Sequence, residues 1–598
     1  MPTPRPEYPR PQFVRDRWMC LNGQWSFEID AADSGLERGL LSRPLADAIT
    51  VPFCPESRLS GIGNQDYLNA VWYRREIAVP ADWECERVLL HFQAVDYDTT
   101  VWIDGVEVGR HRGGFTPFEI ELVVAAGTGF ELTVRARDSH EGPQPRGKQA
   151  MLFVGTGAMY CRTTGIWQTV WMEPVMATHL ARCRITPDVA GGRFLLHQPL
   201  VRGKPGLELT ARLSFDGQLV AEQRTITGND FSPLLVLDIG EADRHLWSPG
   251  SPNLYQLELR LADGSQVLDT VSSYAGLRSV AIAGKAVTIN GEKIFQRLVL
   301  DQGYYPDGIL TAPSDDALVR DIELSMAAGF NGARLHQKVF EERFLYHADR
   351  LGYLVWGEFA DWGCSGAGAS TADHQRPGPA YITQWLEVLH RDYSHPSIIG
   401  WCPLNETWQA MHDRITQLDD VTHGMFLAAR AMDPTRPILD SSGYSHRVRD
   451  SDIYDSHDYT QDVKAFADNH AGTRSGRPFV NSRKRRNADP IEFSIPYGGQ
   501  PFFVSEFGGI WWNPDATDDE DSWGYGERPK DIDEFYDRFE GLCRVLLEDP
   551  AMFGYCYTQL TDVFQEQNGI YKFDRSSKFD IARLHAIQSI PASIEVVR

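Results

Sequence analysis

The sequence predicts two β-sandwiches followed by a C-terminal (β/α)8 TIM barrel. Three observations carry this reading. The texture changes near residue 280, eight short apolar strand candidates fall between residues 294 and 560, and most of them are followed by amphipathic helical segments. At 598 residues the chain is also too long for one ordinary core, so about three domains are expected.

The first 180 residues read as an antiparallel, jelly-roll-like sandwich. The stretch 87–122, RVLLHFQAVDYDTTVWIDGVEVGRHRGGFTPFEIEL, holds β-branched and aromatic runs broken by Asp-Gly and Gly-Gly turns, and FELTVRARD and WQTVWMEPV continue it. Residues 181–278 hold further short strands. GLELTARLSFDGQLVAEQRTI and LYQLELRLADGSQVLDTVSSY each contain an Asp-Gly hairpin signal, which suits an immunoglobulin-like sandwich.

Residues 279–598 read as the barrel. Its strand candidates are IFQRLVL (294–300), NGARLH (331–336), YLVWGEF (353–359), IIGWCPLNE (398–406), PILDSS (437–442), DIYDSHDY (452–459), PFFVSEFGG (501–509) and MFGYCYTQL (552–560). A doubly wound open sheet is the structural rival, but no Gly-rich phosphate loop follows the first strand.

Composition narrows the function. The formal charge is 58 − 82 = −24, which argues against nucleic acid and anionic membranes, since both demand a basic footprint. The acidic run 515–521 and the basic run 483–486 read as solvated loops. Nine cysteines, an odd number with no CxxC pair, indicate neither a disulfide framework nor a zinc site. The N-terminus has no apolar signal region and no stretch of 18 apolar residues occurs, so a soluble, cytoplasmic protein is expected. No metal constellation is legible and no cofactor is expected. The 16 Trp and 22 Tyr supply flat faces suited to apolar ligand surfaces, a carbohydrate among them.

Barrel active sites lie at the C-terminal strand ends. Glu406 ends the fourth candidate in GWCPLNETW, and Glu506 ends the seventh in FFVSEFGG. Strands four and seven lie nearly across the mouth, so their carboxylates can face one another over a substrate. Glycoside hydrolysis needs that pairing: one carboxyl protonates the departing oxygen, and the other attacks the anomeric carbon or activates water. The acid needs a raised pKa, which apolar neighbours Trp401, Leu404 and Trp408 are expected to supply to Glu406. Asn405 is placed to donate to the sugar 2-hydroxyl.

These motifs resemble glycoside hydrolase family 2, the β-galactosidase, β-glucuronidase and β-mannosidase family. LNGQWSFEID, VWYRREIAVP and TGIWQTVWMEPV resemble its sugar-binding-type sandwich. INGEKIFQR and GARLHQKVFEERFLYHADRLGYLVWGE resemble its early barrel. PLNE and SEFGG resemble its acid/base and nucleophile motifs. The resemblance spans essentially the whole chain. It implies Glu406 as general acid/base, Glu506 as nucleophile, Asn405 as 2-hydroxyl ligand, Tyr459 as the residue orienting the nucleophile, and Arg334 packed beside it. His457 would point the same way as Tyr459 on an extended strand. A homo-oligomer is implied by resemblance alone.

Five further residues carry two readings each. Asp301 is a sugar ligand or a turn former beside Gly303. His336 makes a substrate contact or a structural hydrogen bond. Trp362, and Trp512 together with Trp511, are stacking walls or plain core. Departures from the family also show. Thr558 and Gln559 stand where a strand-eight Trp is expected, FQEQNGIYKFDR lacks the Asn-x-Lys with which glucuronidases grip the substrate carboxylate, and the Trp-Asp-Trp text of large β-galactosidases is missing.

The sequence thus predicts a retaining exo-β-glycosidase of β-galactosidase-like activity, or one acting on a related arabinopyranoside or galactofuranoside, with a loop of the first sandwich narrowing the site to one terminal sugar. β-Glucuronidase is the enzyme alternative. A non-catalytic carbohydrate-binding relative is the alternative from another class, and a scaffold of sandwich modules is disfavoured by the barrel-like half.

Overall fold

A computed structural model describes residues 2–362, 377–485, 488–514 and 522–596. Cys364, Arg486 and the acidic run 515–521 lie outside the described residues. The N-terminal unit packs a six-stranded antiparallel sheet against a four-stranded one. The larger sheet is centred on Ala70–Ala78 and Gly129–Arg137, and the smaller on Arg87–Phe92 and Val170–Val175. Trp25, Phe27, Tyr73, Leu90, Phe92 and Met172 fill the space between them.

The second sandwich sets three strands, Arg184–Asp188, Arg193–His197 and Leu234–Asp238, over a four-stranded sheet. Its period of two is visible in Tyr255–Asp263, where Leu257, Leu259 and Leu261 are buried while Gln256 and Glu258 face out. The hairpin predicted at Asp216-Gly217 forms with φ of +47° and +76°, the left-handed pair that a two-residue turn between twisted strands requires.

The C-terminal unit is a curled parallel sheet of seven strands: Gln296–Asp301, Gly332–Leu335, Leu354–Glu358, Ile398–Cys402, Tyr454–Asp458, Phe502–Gly508 and Met552–Thr558. The first pairs with the second and with the last, so the sheet curls on itself. The stretch 437–442, expected as a fifth strand, is not a regular one. Pro437 has no N–H to give to a ladder, and the side chains of Asp440 and Ser442 take backbone and side-chain hydrogen bonds of their own. Isolated bridges Trp401↔Ile438 and Asn405↔Ser442 nevertheless keep the segment beside the fourth strand as the fifth of eight staves, which makes Tyr454–Asp458 the sixth, Phe502–Gly508 the seventh and Met552–Thr558 the eighth.

Helices α1 (Asp315–Ala327), α2 (Glu342–Leu351), α3 (Pro379–Asp392), α4 (Gln417–Met432), α5 (Val463–His470), α6 (Ile532–Leu547) and α7 (Ile581–Gln588) flank the sheet. Their starts are written locally. Ser314 and Asp531 accept from the third residue of α1 and α6, Thr416 and Asp419 form a capping box on α4, and Pro379 stands in the first turn of α3. On α6, Phe535, Phe539, Leu542 and Leu546 recur at helical spacing and are buried. No helix among the described residues is long and apolar enough to cross a membrane.

The first sandwich is fastened to the barrel. Phe115, Tyr160 and Trp167 belong to the barrel's own core cluster. The Arg5 guanidinium forks onto Glu341 with bonds of 2.9 and 2.8 Å. The segment after Gly129–Arg137 reaches the C-terminal end of the third barrel strand, where the Gly147 N–H donates to the Ala360 carbonyl at 2.9 Å.

Candidate active site

The barrel places Glu406 just beyond its fourth strand and Glu506 within its seventh. A carboxylate oxygen of each, and a ring nitrogen of His457, all lie within 4.8 Å of one another. The register of the sixth and seventh strands sets His457 directly opposite Glu506. Among the described residues this trio is the one His–carboxylate cluster close enough to share a cation, whereas the sequence shows no metal constellation. Its donors are already committed within the protein, as follows.

Glu506 accepts from the Tyr459 hydroxyl at 2.5 Å on one oxygen and from Arg334 Nη1 at 3.2 Å on the other. Arg334, wholly buried, organises the floor. It also donates to Glu358 at 2.5 Å, to the Ser505 carbonyl at 2.6 Å and to Asn405 Oδ1 at 3.0 Å. Burial works against its charge, but Glu358 and Glu506 outweigh that and raise its pKa further. Such a multiply bonded guanidinium fixes three side chains at once.

Gly508 and Gly509 explain the glycines of SEFGG. Their φ values are +75° and +60°, and a Cβ on Gly509 would stand 2.4 Å from the Tyr525 ring. Tyr525 uses that room to stack on Tyr459, ring centroids 3.4 Å apart.

Glu406 sits on left-handed backbone, φ +49°, a strained conformation for a residue with a side chain. Its N–H donates to the Ser442 carbonyl at 3.0 Å, which holds the turn. One carboxylate oxygen lies 2.8 Å from His457 Nδ1, and the other accepts from the Trp362 indole at 2.9 Å. Burial pushes the Glu406 pKa up, but the His457 contact, the Trp362 donor and the charge of Lys148 together bring it below its ordinary value. This corrects the expectation of an apolar wall. Trp401 turns to the helix layer, donating to Asp433 at 2.7 Å, and Trp408 lies 42% exposed, stacked on Tyr444. His457 shows the reverse balance: burial lowers its pKa, and Glu506 and Glu406 outweigh it and raise it.

Asn405 donates its backbone N–H to Asp361 at 3.0 Å and accepts from Arg334, while its buried Nδ2 has no hydrogen-bond partner. His336 is also buried at the floor. Its Nε2 meets the Gln337 amide at 2.8 Å, and its Nδ1 lies 3.3 Å from Glu358 and 3.8 Å from Glu506 without hydrogen-bond alignment. Burial pushes its pKa far down, so the ring is neutral.

Two expected site residues are placed elsewhere. Asp301 accepts from the Gly303 N–H at 2.9 Å, and its charge neighbours are Asp321, Arg575 and Lys338; burial and Asp321 push its pKa up to about 7. It serves the turn, because the chain reverses immediately after it. Trp512 packs toward Phe535 of α6 and lines a separate cleft with Pro306 and Phe564, so it forms no wall at the carboxylates.

Sequence reading missed several neighbours. Glu358 ends the third strand, much as Glu406 follows the fourth, and that strand-end position could have flagged it. Tyr525, and Lys148 and Tyr160 from the sandwich, carried no local signal, since only the tertiary fold brings them here. At the eighth strand end, Thr558 Oγ1 meets the Tyr459 hydroxyl at 3.0 Å, and Gln559 bridges Gln302 and Asn568 at 2.8 Å each.

A parallel barrel carrying two opposed carboxylates at its mouth, with two sandwiches ahead of it, defines a glycoside hydrolase. The family descriptions "Glycosyl hydrolases family 2, sugar binding domain", "Glycosyl hydrolases family 2" and "Glycosyl hydrolases family 2, TIM barrel domain" match residues 18–137, 178–278 and 280–483. The chain belongs to glycoside hydrolase family 2. It is 25% identical over 453 residues to a beta-glucuronidase of Paenibacillus borealis, covering 70% of this chain and 72% of that one. A Rattus norvegicus beta-glucuronidase is 25% identical over 459 residues, with 70% and 67% covered. The fold superposes on a β-glucuronidase from Ruminococcus gnavus with TM-score 0.77, over 98% of this chain and 100% of the other, at 19% identity.

Proposed function

We propose that this chain is a retaining exo-β-glucuronidase, with Glu506 as nucleophile and Glu406 as general acid/base. The observation that carries the mechanism is the closeness of the two carboxylates, whose oxygens lie within 4.8 Å. Retaining pairs stand about 5–5.5 Å apart, and inverting pairs about 6.5–9.5 Å, to admit a water.

In the first step Glu506 attacks the anomeric carbon while Glu406 protonates the leaving oxygen. Tyr459 and Arg334 hold the attacking carboxylate in place. The proton comes from the Glu406–His457 pair, which holds one proton whichever atom carries it. In the second step Glu406 takes a proton from water, and that water releases the sugar from Glu506 with the starting configuration. The free Nδ2 of Asn405 is the donor for the 2-hydroxyl.

The relatives support a uronide substrate over the β-galactosidase-like activity expected from sequence. One observation favours a neutral sugar: the loop 564–575 lacks Asn-x-Lys and presents Glu566 and Asn568.

The test is a panel of nitrophenyl β-glucuronide, β-galactoside, β-glucoside, β-mannoside, β-galactofuranoside and α-L-arabinopyranoside, with the first-formed anomer read by NMR. Cleavage of the glucuronide above all others, releasing the β-anomer, is the expected result. A faster galactoside restores the galactosidase reading, and an α-anomer rejects retention. Sugar binding without turnover by folded protein makes the chain a carbohydrate-binding relative.

A further inference from the structure

The site contains a cation that the two-step scheme leaves unused. Lys148 belongs to the sandwich segment that reaches the C-terminal end of the third barrel strand. Its side chain is 7% exposed, and its Nζ lies 5.5 Å from the Tyr160 ring centroid and 5.6 Å from that of Trp362. Trp362 is the indole that donates to Glu406, and the charge of Lys148 acts on both Glu406 and His336. Through the Trp362 indole the ammonium adjoins the Glu406 carboxylate.

Its bonding is incomplete. Among the described residues the nearest anion is Glu566, 3.8 Å away, beyond hydrogen-bond length. Glu566 is itself supplied by the Tyr160 hydroxyl and by Asn568 Nδ2 at 3.2 Å. Lys338, equally buried, instead donates to the carbonyls of Gly303 and Leu310 at 2.6 and 2.7 Å. The neighbouring cations are engaged: Arg334 with Glu358, Glu506, Asn405 and a carbonyl, and His457 with Glu406 and Ser442. An anionic sugar entering a buried site needs a cation with donors to spare, because an unpaired buried carboxylate is strongly disfavoured.

We propose that Lys148, delivered by the N-terminal sandwich, is the specificity-determining residue that takes the carboxylate of the terminal uronic acid. The inference rests on the glucuronidase reading above. It assigns to another domain the grip that the barrel loop, lacking Asn-x-Lys, does not supply in that form, with Glu566 beside the ammonium.

Full-length wild type, Lys148→Gln and Lys148→Arg would be compared on nitrophenyl β-glucuronide and β-glucoside, with D-glucuronate and D-glucose as inhibitors. Loss of one charge-assisted contact is expected to lower glucuronide kcat/KM by roughly 100-fold, mainly through KM, and to weaken D-glucuronate inhibition comparably. D-Glucose inhibition should stay within about threefold, and an unchanged thermal midpoint reports correct folding. Lys148→Arg should recover part of the loss. Equal losses toward charged and neutral sugars, or undiminished D-glucuronate inhibition, overturn this proposal and leave the glucuronidase reading standing. A wild type that neither cleaves the glucuronide nor binds D-glucuronate overturns both.

Discussion

His457 Nδ1 lies 2.8 Å from Glu406 Oε1, so the proposed acid and an imidazole share one hydrogen bond. The imidazole pKa is raised by Glu506 and by Glu406, and the carboxyl pKa is lowered by the His457 contact, against burial in each case. The pair therefore holds its last proton to higher pH than an isolated carboxyl would. As pH rises through the raised His457 value the proton leaves and glycosylation stops. The basic limb of kcat/KM is expected above the ordinary histidine value. In His457→Gln the proton rests on Glu406 alone, and the basic limb should move acidward. A pH–rate profile unchanged in that variant would show that the pair does not supply the proton.

Removal of Glu506 removes the bond-forming oxygen. Glu506→Ala is expected to lose on the order of 10⁴-fold or more in kcat. Azide should restore turnover and yield the inverted glycosyl azide. Glu406→Ala should lose about 10²–10⁴-fold on alkyl glycosides but far less on dinitrophenyl glycosides, whose leaving groups need no proton. If azide rescued the Glu406 variant through an inverted product instead, the two roles would be exchanged.

Asn405 has one amide hydrogen-bonding face spent on Arg334 and the other unpartnered. With Asn405→Ala, kcat/KM should fall roughly 100-fold on the natural 2-hydroxy sugar, since that contact strengthens in the transition state. On the 2-deoxy analogue the variant and the wild type should be nearly equal. A comparable loss on both substrates would assign Asn405 to holding Arg334 rather than the sugar.

His446 offers a prediction about stability rather than rate. It is buried between Asp440 (2.8 Å) and Asp455 (3.1 Å). Burial lowers its pKa, yet the two aspartates outweigh this and raise it to about 10 from 6.5. A raised folded-state pKa means stability fully present below about pH 6.5 and lost as pH climbs toward 10. Thermal midpoints should accordingly decline across that window. His446→Gln should lower Tm at pH 6 and flatten the decline. An equally steep decline in the variant would place its origin in other groups.

Much of this architecture was readable from the chain because its signals are local. The Leu alternation of Tyr255–Asp263, the Asp216-Gly217 turn and the Thr416–Asp419 cap each need only neighbours in sequence. Glu406 and Glu506 were legible for the same reason: a polar acid closing an apolar strand is a local anomaly. The fifth stave was overread, because apolar character alone does not reveal that Pro437 and the side chains of Asp440 and Ser442 divert the backbone from a ladder.

By itself the sequence determined the order of two sandwiches and a barrel, and the two acids at strand ends, since periodicity and turn chemistry act over a few residues. The tertiary structure alone decided what surrounds those acids. His457 meets Glu406 across 51 positions of sequence, Arg334 meets Glu506 across 172, and Lys148 reaches Trp362 from another domain. Charges so far apart in the chain acquire their pKa values and partners only when folding removes the water between them, and no short motif encodes that desolvation.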